Sequence, residues 1–415
     1  GTVDWQTGSI KTSTFTAANG EGYFANTSGG AFTMNLPAGS AGNIVSVVDY
    51  TNTFDSNTLT ISPNGSQKIG GQNANVGLNT QGQSVTFVYV DDTEGWKNVQ
   101  DSTSNVVGNA FITASGGTIT TCGNFKVHTF TGPGTFTVTS TAVCSADNRV
   151  DYLVVAGGGS GGTACGGFGA GAGGAGGFRS SNDTCMSAPL TSPLANPTGV
   201  TVTATAFPIT VGGGGAAFSS PNQSNGNAGS NSTFSTITSA GGGYGAGGAT
   251  PNTSAGGPGG SGGGAWGCSP SSVSGGTGNT PPVSPPQGNN GGGRVSGSNG
   301  GAGGGGAGAA GGDTGNPSTG GTGGIGSFMV SAGFAGCNGT TGPVSNVRYF
   351  SGGGGGSAST GTPGGAGGGG KGGDGNVDPG GAGTTNTGGG GGGSRAGTTG
   401  GGGSGIVIIR YKFQS

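Results

Sequence analysis

The chain has 415 residues and a formal net charge of −2, and its 12 lysines and arginines are too few to form a basic face for a nucleic-acid backbone. No run of about 20 apolar residues occurs, so the sequence predicts no helix that inserts into a membrane. The 111 glycines, the abundance of Ser, Thr and Asn and the shortage of helix formers predict an all-β protein of the extracellular or virion type. Because the chain begins at Gly1, we expect a processed product or a fragment of a longer protein.

Residues 1–100 predict a separate β-module, followed by a polar linker at residues 101–109. Short apolar runs alternate there with turn residues, and this spacing is typical of a β-sandwich or a small β-roll. Such a module can serve in attachment or in oligomerisation. The predicted strands lie at residues 31–36, 43–50, 58–61 and 84–90.

Two apolar strands frame the rest of the chain. Residues 151–156 lead into a glycine-rich tract, and residues 406–411 lead out of it. We expect the last strand to pair beside residues 153–155. Residues 110–415 would then form one unit, a small β-sandwich that carries the glycine-rich tract.

The tract itself, residues 157–405, holds most of the glycines. A flexible linker is the usual interpretation of such a composition. The chain is only 6% charged, however, whereas disordered segments are usually kept open by charge. Glycine can order only through its backbone, so we predict extended helices with three residues per turn, of the polyglycine II type, packed as a bundle. Flat glycine-rich strands are the alternative.

The six cysteines form an even set, and the register of a predicted hairpin suggests one pair. Residues 120–145 alternate in polarity around a turn at Gly132-Pro133-Gly134, and Cys122 and Cys144 lie at equal distances from that turn. Directly opposed strand residues come close to the spacing that a disulfide needs, so we predict a bond between them. Sequence proximity alone suggests the other two pairs, Cys165–Cys185 and Cys268–Cys337.

The sequence contains few residue patterns that would indicate a catalytic site. The single histidine, His128, occupies an alternating strand position, which favours a structural role. Residues 91–94 are acidic but belong to a turn, and no second carboxylate pattern indicates a glycosidase. Residues 365–371 imitate a phosphate loop without the Ser or Thr that should follow at position 372. Residues 374–378 resemble the start of a calcium-binding loop, but the bidentate glutamate that should close such a loop is absent. We therefore predict no enzyme, no cofactor and no metal.

Bulky residues interrupt the glycine runs. A lattice of glycine helices has no room for them inside, so we expect them at its ends or edges, where they either cap the bundle or contact a receptor. Trp266 and residues 348–350 are the preferred contacts. The full set of predicted receptor contacts is Phe178, Arg179, Phe218, Tyr244, Trp266, Phe328, Arg348, Tyr349 and Phe350.

Three motifs carry a resemblance to a known family. Asp151-Tyr-Leu-Val-Val-Ala-Gly-Gly-Gly159, Gly173-Gly-Ala-Gly-Gly-Phe-Arg179 and Gly403-Ser-Gly-Ile-Val-Ile-Ile-Arg-Tyr411 resemble the glycine-rich domain of bacteriophage tail-fibre and receptor-binding proteins. The N-terminal part, with Trp5-Gln-Thr-Gly8 and Leu36-Pro-Ala-Gly39, resembles a β-module of the same proteins.

This resemblance implies a non-enzymatic adhesin of the virion tail fibre. Loops between glycine helices would contact a bacterial surface receptor, either a glycan or an outer-membrane protein, and other virion tail proteins would be further partners. We expect a homotrimer carried by residues 1–100. An extracellular structural filament or matrix protein is the alternative, and open head-to-tail contacts would indicate it. Ice binding is a remote third possibility, because the irregular spacers argue against it.

Overall fold

The computed structural model describes residues 2–102, 111–142, 145–164, 167–183, 191–219, 223–247, 255–268, 271–315, 319–375, 378–395 and 397–413. The chain divides into two compact units, residues 1–108 and residues 109–415.

Strands dominate the regular structure of both units, which confirms the predicted all-β class. The helical elements in the described part of the chain are a short 3₁₀ turn at Ser145–Asp147 and a π-type turn at Ser331–Ala335. The first unit contains β1 to β9: Asp4–Trp5, Phe15–Thr16, Glu21–Ala25, Phe32–Asn35, Ile44–Asp49, Leu59–Ser62, Val76–Leu78, Ser84–Asp91 and Gly95–Ser102. The second unit contains β10 to β23: Thr113–Ser115, Thr118–Cys122, Phe125–Phe130, Gly134–Ser140, Arg149–Val155, Phe178–Ser181, Ala195–Asn196, Val200–Thr201, Ala206–Thr210, Ser232–Phe234, Ile237–Ser239, Ser327–Val330, Val347–Phe350 and Ile406–Lys412.

The first unit is built from two sheets around one apolar core. One sheet has the order β1-β3-β5-β8-β9, and the other has the order β2-β4-β6-β7. Strand β8 shows why the sequence folds this way, because Val85, Phe87 and Tyr89 alternate into the core while their neighbours are less buried. Trp96 of β9 is completely buried in the same core. Strand β9 runs on to Ser102, two residues past the predicted end of the module.

The second unit begins with a β-sandwich. Its larger sheet has the order β11-β12-β23-β14-β15-β16, with β17 also pairing with β14, and the smaller sheet has the order β10-β13-β18-β19-β20. The predicted pairing of the last strand is confirmed, since β23 lies antiparallel to β14 with Leu153 opposite Ile408. Both central strands are buried on their two faces, which explains their nearly continuous apolar sequence.

The predicted hairpin around Gly132-Pro133-Gly134 is wrong. Strand β12 pairs with β11 and β23 in the larger sheet, whereas β13 pairs with β10 and β18 in the smaller one. The chain therefore crosses from one sheet to the other at the turn. Phe130 and Phe136 enter the same core from opposite sheets, and burial of both rings outweighs the direct pairing of neighbouring strands.

The glycine-rich tract forms helices with a three-residue repeat. In residues 156–164, every third N–H group donates to the same neighbouring segment. Gly157, Ser160 and Thr163 donate to the carbonyls of Ser230, Asn227 and Ser224, so the partner also shifts by three residues at each step. The N–H groups in between donate to two other segments. A helix with three residues per turn has this property, and a flat strand does not.

The packing of these helices leaves room only for small side chains in the interior, such as those of Ala172 and Ala302. Residues 156–164 donate to the segments around residues 227, 174 and 400 and accept from those around residues 242, 391 and 215, so neighbours surround the helix on all sides. A Cβ atom added at Gly158 would lie 2.1 Å from the carbonyl oxygen of Gly389. Glycine is therefore required by close backbone approach.

The glycine helices are connected to strands and to one another at the two ends of the bundle. Strands join the helices at the proximal end, as β14 does before residue 156, β15 after residue 177 and β23 after residue 405. Short turns near residues 308, 367 and 386 also join helices at this end. The turns between helices at the opposite end are here called the distal rim. Isolated bridges tie these turns together in pairs such as Thr163–Ser394, Ser219–Thr398 and Ala358–Asp374. The described residues of the distal rim are 163–164, 167–168, 219, 223–224, 247, 267–268, 271–273, 294–299, 314–315, 319, 358–361, 374–375, 378–379, 394–395 and 397–398.

Candidate functional site

A polar cleft opens on one side of the distal rim. It has a volume of about 430 Å³ and forms where three helices end side by side. Val273 bridges to Arg294, and Arg294 bridges to Thr314, so the three chain segments are held in fixed register. The residues other than glycine that line the cleft are Ser272, Val273, Ser274, Asn290, Arg294, Val295 and Asp313.

Asp313 and Asn290 place polar groups in this cleft. The Asp313 Oδ1 atom accepts a hydrogen bond from the Gly293 N–H group at 2.6 Å, and Asn290 Oδ1 accepts from the Gly278 N–H group at 2.8 Å. Both side chains are exposed. The second oxygen of Asp313 and the NH₂ group of Asn290 have no hydrogen-bond partner among the described residues, so both can bind a ligand.

Arg294 stiffens the wall of the cleft. Its side chain is buried, and Nε donates to the carbonyls of Gly267 (2.7 Å) and Ser298 (3.0 Å), while Nη1 donates to Ser271 (3.1 Å). These carbonyls belong to two different turns of the rim. The guanidinium group therefore links neighbouring turns, and its charge is directed into the protein rather than towards the cleft.

Four of the predicted receptor contacts are buried, and their assignment as exposed contacts is wrong. Phe178 and Phe350 pack under the central strands, and Tyr349 is only 3% exposed. Trp266 lies at the rim but packs against Ala170 and the ring of Phe168. The expectation failed because the second face of the larger sheet buries Phe178 and Phe350, and because Trp266 packs against alanines of the helices.

The other five predicted contacts are partly exposed but are not brought together. Only Phe218 lies near the distal rim, where its N–H group donates to Thr399. Tyr244 covers Gly257 on the side of the bundle. Arg179 and Phe328 lie in strands at the proximal end, and Arg348 donates there to backbone carbonyls of residues 337–339.

The predicted disulfides are not supported in the described part of the chain. Cys122, Cys268 and Cys337 are free thiols, so the pairs Cys122–Cys144 and Cys268–Cys337 are wrong. The first pair depended on a hairpin that does not form. In the second, Cys268 contacts Trp266 at the rim, whereas Cys337 shares the wall of a cavity beside β11 with Cys122. Cys144, Cys165 and Cys185 lie outside the described residues.

His128 has the environment of a structural residue. It is completely buried, Nδ1–H donates to the Gly116 carbonyl at 2.7 Å, and Nε2 lies 3.2 Å from the Tyr411 hydroxyl. Its pKa is lowered from the usual value of 6.5, mainly because burial disfavours the charged imidazolium.

Stability should therefore decrease on mild acidification. Below about pH 6.5 the unfolded chain protonates His128 while the folded protein keeps it neutral, so the unfolded state binds more protons and gains stability. We expect Tm to fall between pH 7 and pH 5, as measured by circular dichroism. Because His128 is the only histidine, His128→Gln should remove this dependence. A wild-type Tm that does not change between pH 7 and pH 5 would contradict the conclusion that the folded protein keeps His128 neutral.

The sequence analysis did not predict Asn290 and Asp313 as site residues, because their side chains are small and polar. A signal was present, since Asn290 and Asp313 stand inside glycine runs, in Gly288-Asn-Asn-Gly291 and Gly311-Gly-Asp-Thr-Gly315. Within the described residues, no group of three or more His, Cys, Asp or Glu side chains could hold a metal ion. None of the described helical elements has the length or hydropathy required to cross a membrane.

Comparison with known proteins gives one family match. A family model described as a glycine-rich domain matches residues 129–412, which include the framing strands β14 and β23 and the helices between them. No curated protein matches the chain.

Proposed function

The chain belongs to the glycine-rich domain family, and on that premise we propose that it is a non-enzymatic adhesin of a bacteriophage tail fibre. The distal rim would bind a receptor on the bacterial surface, either a glycan or an outer-membrane protein. The observation that carries this proposal is the group of bridged turns at the end of the bundle that lies away from the strands.

The construction of the bundle favours recognition at this end. Only small side chains fit between the glycine helices, so larger side chains lie at the ends and on the sides of the bundle. Backbone hydrogen bonds on all sides make the bundle a rigid support. Loops held by a rigid scaffold lose little entropy on binding, and this arrangement is common in recognition proteins.

The first unit fits a role in attachment or assembly. Residues 1–108 form a compact unit with a core of their own, separate from the glycine helices. We propose that this unit joins the chain to other virion tail proteins and carries a homotrimer. The protein would then be located in the tail fibre of the virion, outside the bacterial cell.

Binding of the fluorescently labelled protein to a panel of bacterial strains tests this proposal. Val295→Glu introduces a charge into the cleft at a residue that is 47% exposed. We expect this variant to lose most of its cell binding. Ile119→Glu is the matched control, because Ile119 is 45% exposed in β11, at the proximal end of the same unit. It should bind like the wild type.

Two results would contradict the adhesin. Failure to bind any strain would favour the structural filament, and open head-to-tail assembly in small-angle scattering would agree with that alternative. Equal loss of cell binding in Val295→Glu and Ile119→Glu would show that the distal rim has no special role in receptor binding.

A further inference from the structure

We propose that the cleft beside Asp313 and Asn290 binds a neutral carbohydrate. This inference rests on the adhesin function proposed above and assigns a receptor class to one site on the distal rim. The volume of about 430 Å³ lies in the lower part of the range of about 300–1,000 Å³ that is typical of small-molecule sites. It suits a short saccharide unit rather than a folded protein loop.

The polar groups of the cleft match a ligand that is rich in hydroxyls. Asp313 offers a carboxylate oxygen as an acceptor, and Asn290 offers two N–H donors. Ser272 and Ser274, whose hydroxyls can donate or accept, also line the cleft. A hydroxyl group both donates and accepts, so a sugar can bond to this mixed set without leaving a partner unsatisfied.

Charge in the cleft disfavours an anionic ligand. Arg294 is the single lysine or arginine among the residues that line the cleft, and its guanidinium group donates to the backbone carbonyls of Gly267, Ser298 and Ser271. Asp313 is an exposed acidic residue in the lining of the cleft. A phosphate, sulfate or sialic acid would meet this carboxylate without an accessible cation to compensate, and like charges repel.

Apolar contact is also available. Val273 and Val295 line the cleft, and Val295 is 47% exposed. The C–H face of a pyranose ring can cover such a side chain while its hydroxyls reach the polar groups. The β-bridges that join residue 294 to residues 273 and 314 keep the apolar and the polar surfaces of the cleft at a constant separation.

A glycan array probed with the full-length protein tests this inference. It should carry neutral hexoses, N-acetylhexosamines and deoxyhexoses beside sialylated and sulfated glycans. We expect neutral glycans to bind and Asp313→Asn to weaken that binding about 10-fold or more, because a charge-assisted hydrogen bond is lost. The amide oxygen of the substitute can still accept from Gly293, so the fold should be kept, as an unchanged Tm would show.

Asp378→Asn is the matched control, since Asp378 is exposed on the distal rim outside the cleft. It should retain full glycan binding. Binding restricted to anionic glycans, or equal affinity of the wild type and Asp313→Asn, would overturn the inference. If Val295→Glu abolishes cell binding but free neutral sugars do not compete, the adhesin function stands and the carbohydrate assignment fails. If neither cells nor glycans bind, both proposals fail.

Discussion

Replacing Gly173 by alanine is expected to destabilise the glycine-helix bundle severely. The added Cβ atom would lie 2.0 Å from the carbonyl oxygen of Gly159, and both groups belong to backbone that is fixed by neighbours. A flexible side chain could move away, but this carbonyl cannot. Overpacking of a core costs about 1–3 kcal/mol and sometimes more, so we expect Tm to fall by roughly 5 °C or more. Thermal unfolding followed by circular dichroism measures the effect.

Gly213→Ala is the matched control in the same tract. A Cβ atom at Gly213 meets nothing within 4 Å, and its φ angle is not in the left-handed region. Alanine there should change stability by less than about 1 kcal/mol, and it can stabilise the protein by restricting the unfolded chain. Equal Tm values for the two variants would show that backbone packing does not hold the bundle together.

Loss of Asp151 should destabilise the sandwich by about 3–5 kcal/mol, the usual cost of removing one partner of a buried ion pair. Asp151 and Arg410 face each other across the central strands β14 and β23, with Oδ2 and Nη2 at 3.1 Å. The pair is almost completely buried, and Arg410 also lies over the rings of Phe125 and Phe334. Asp151→Ala would remove the carboxylate that faces this buried guanidinium group, and urea unfolding would report the loss of stability.

Arg149→Ala is the appropriate comparison on the same strand. Arg149 pairs with Asp183 at 3.3 Å, but its side chain is 45% exposed, and exposed pairs contribute at most about 1 kcal/mol. We therefore expect a small effect from this variant. If Asp151→Ala were no more destabilising than Arg149→Ala, the buried pair would not contribute to the stability of the framing strands.

The framing strands were predictable because burial on both faces leaves a direct sequence signal. Residues 151–156 and 406–411 are nearly all apolar, and no other pair of runs in the glycine-rich part of the chain matches them. Glycine helices were predictable for a similar reason, since a low-charge tract without side chains can order only through its backbone. Both predictions depended on local composition.

The strand partners of β12 and β13 were not predictable from the local pattern. Alternating residues around Gly132-Pro133-Gly134 suit a hairpin and a crossing between sheets equally well. The choice depends on β23, which lies almost three hundred residues further along the chain and provides the partner for β12. Long-range pairing of this kind leaves no mark in the sequence of the turn.

The rim site was missed for a related reason. Aromatic side chains were expected to be exposed because a glycine lattice cannot contain them, but Trp266 fits between alanines and Phe350 fits under a sheet. Asn290 and Asp313 meet only because three distant segments end side by side. Such a cleft becomes visible once the register of the helices is known.

Amide hydrogen exchange measured by NMR tests the central claim most directly, namely that the backbone itself holds the glycine-rich unit together. Each N–H group from Gly157 to Ala164 donates to a carbonyl of another segment. All these consecutive amides should therefore exchange as slowly as those of the central strands β14 and β23. Exchange at the rate of an unfolded chain, or protection of only every second amide as in an edge strand, would contradict the account.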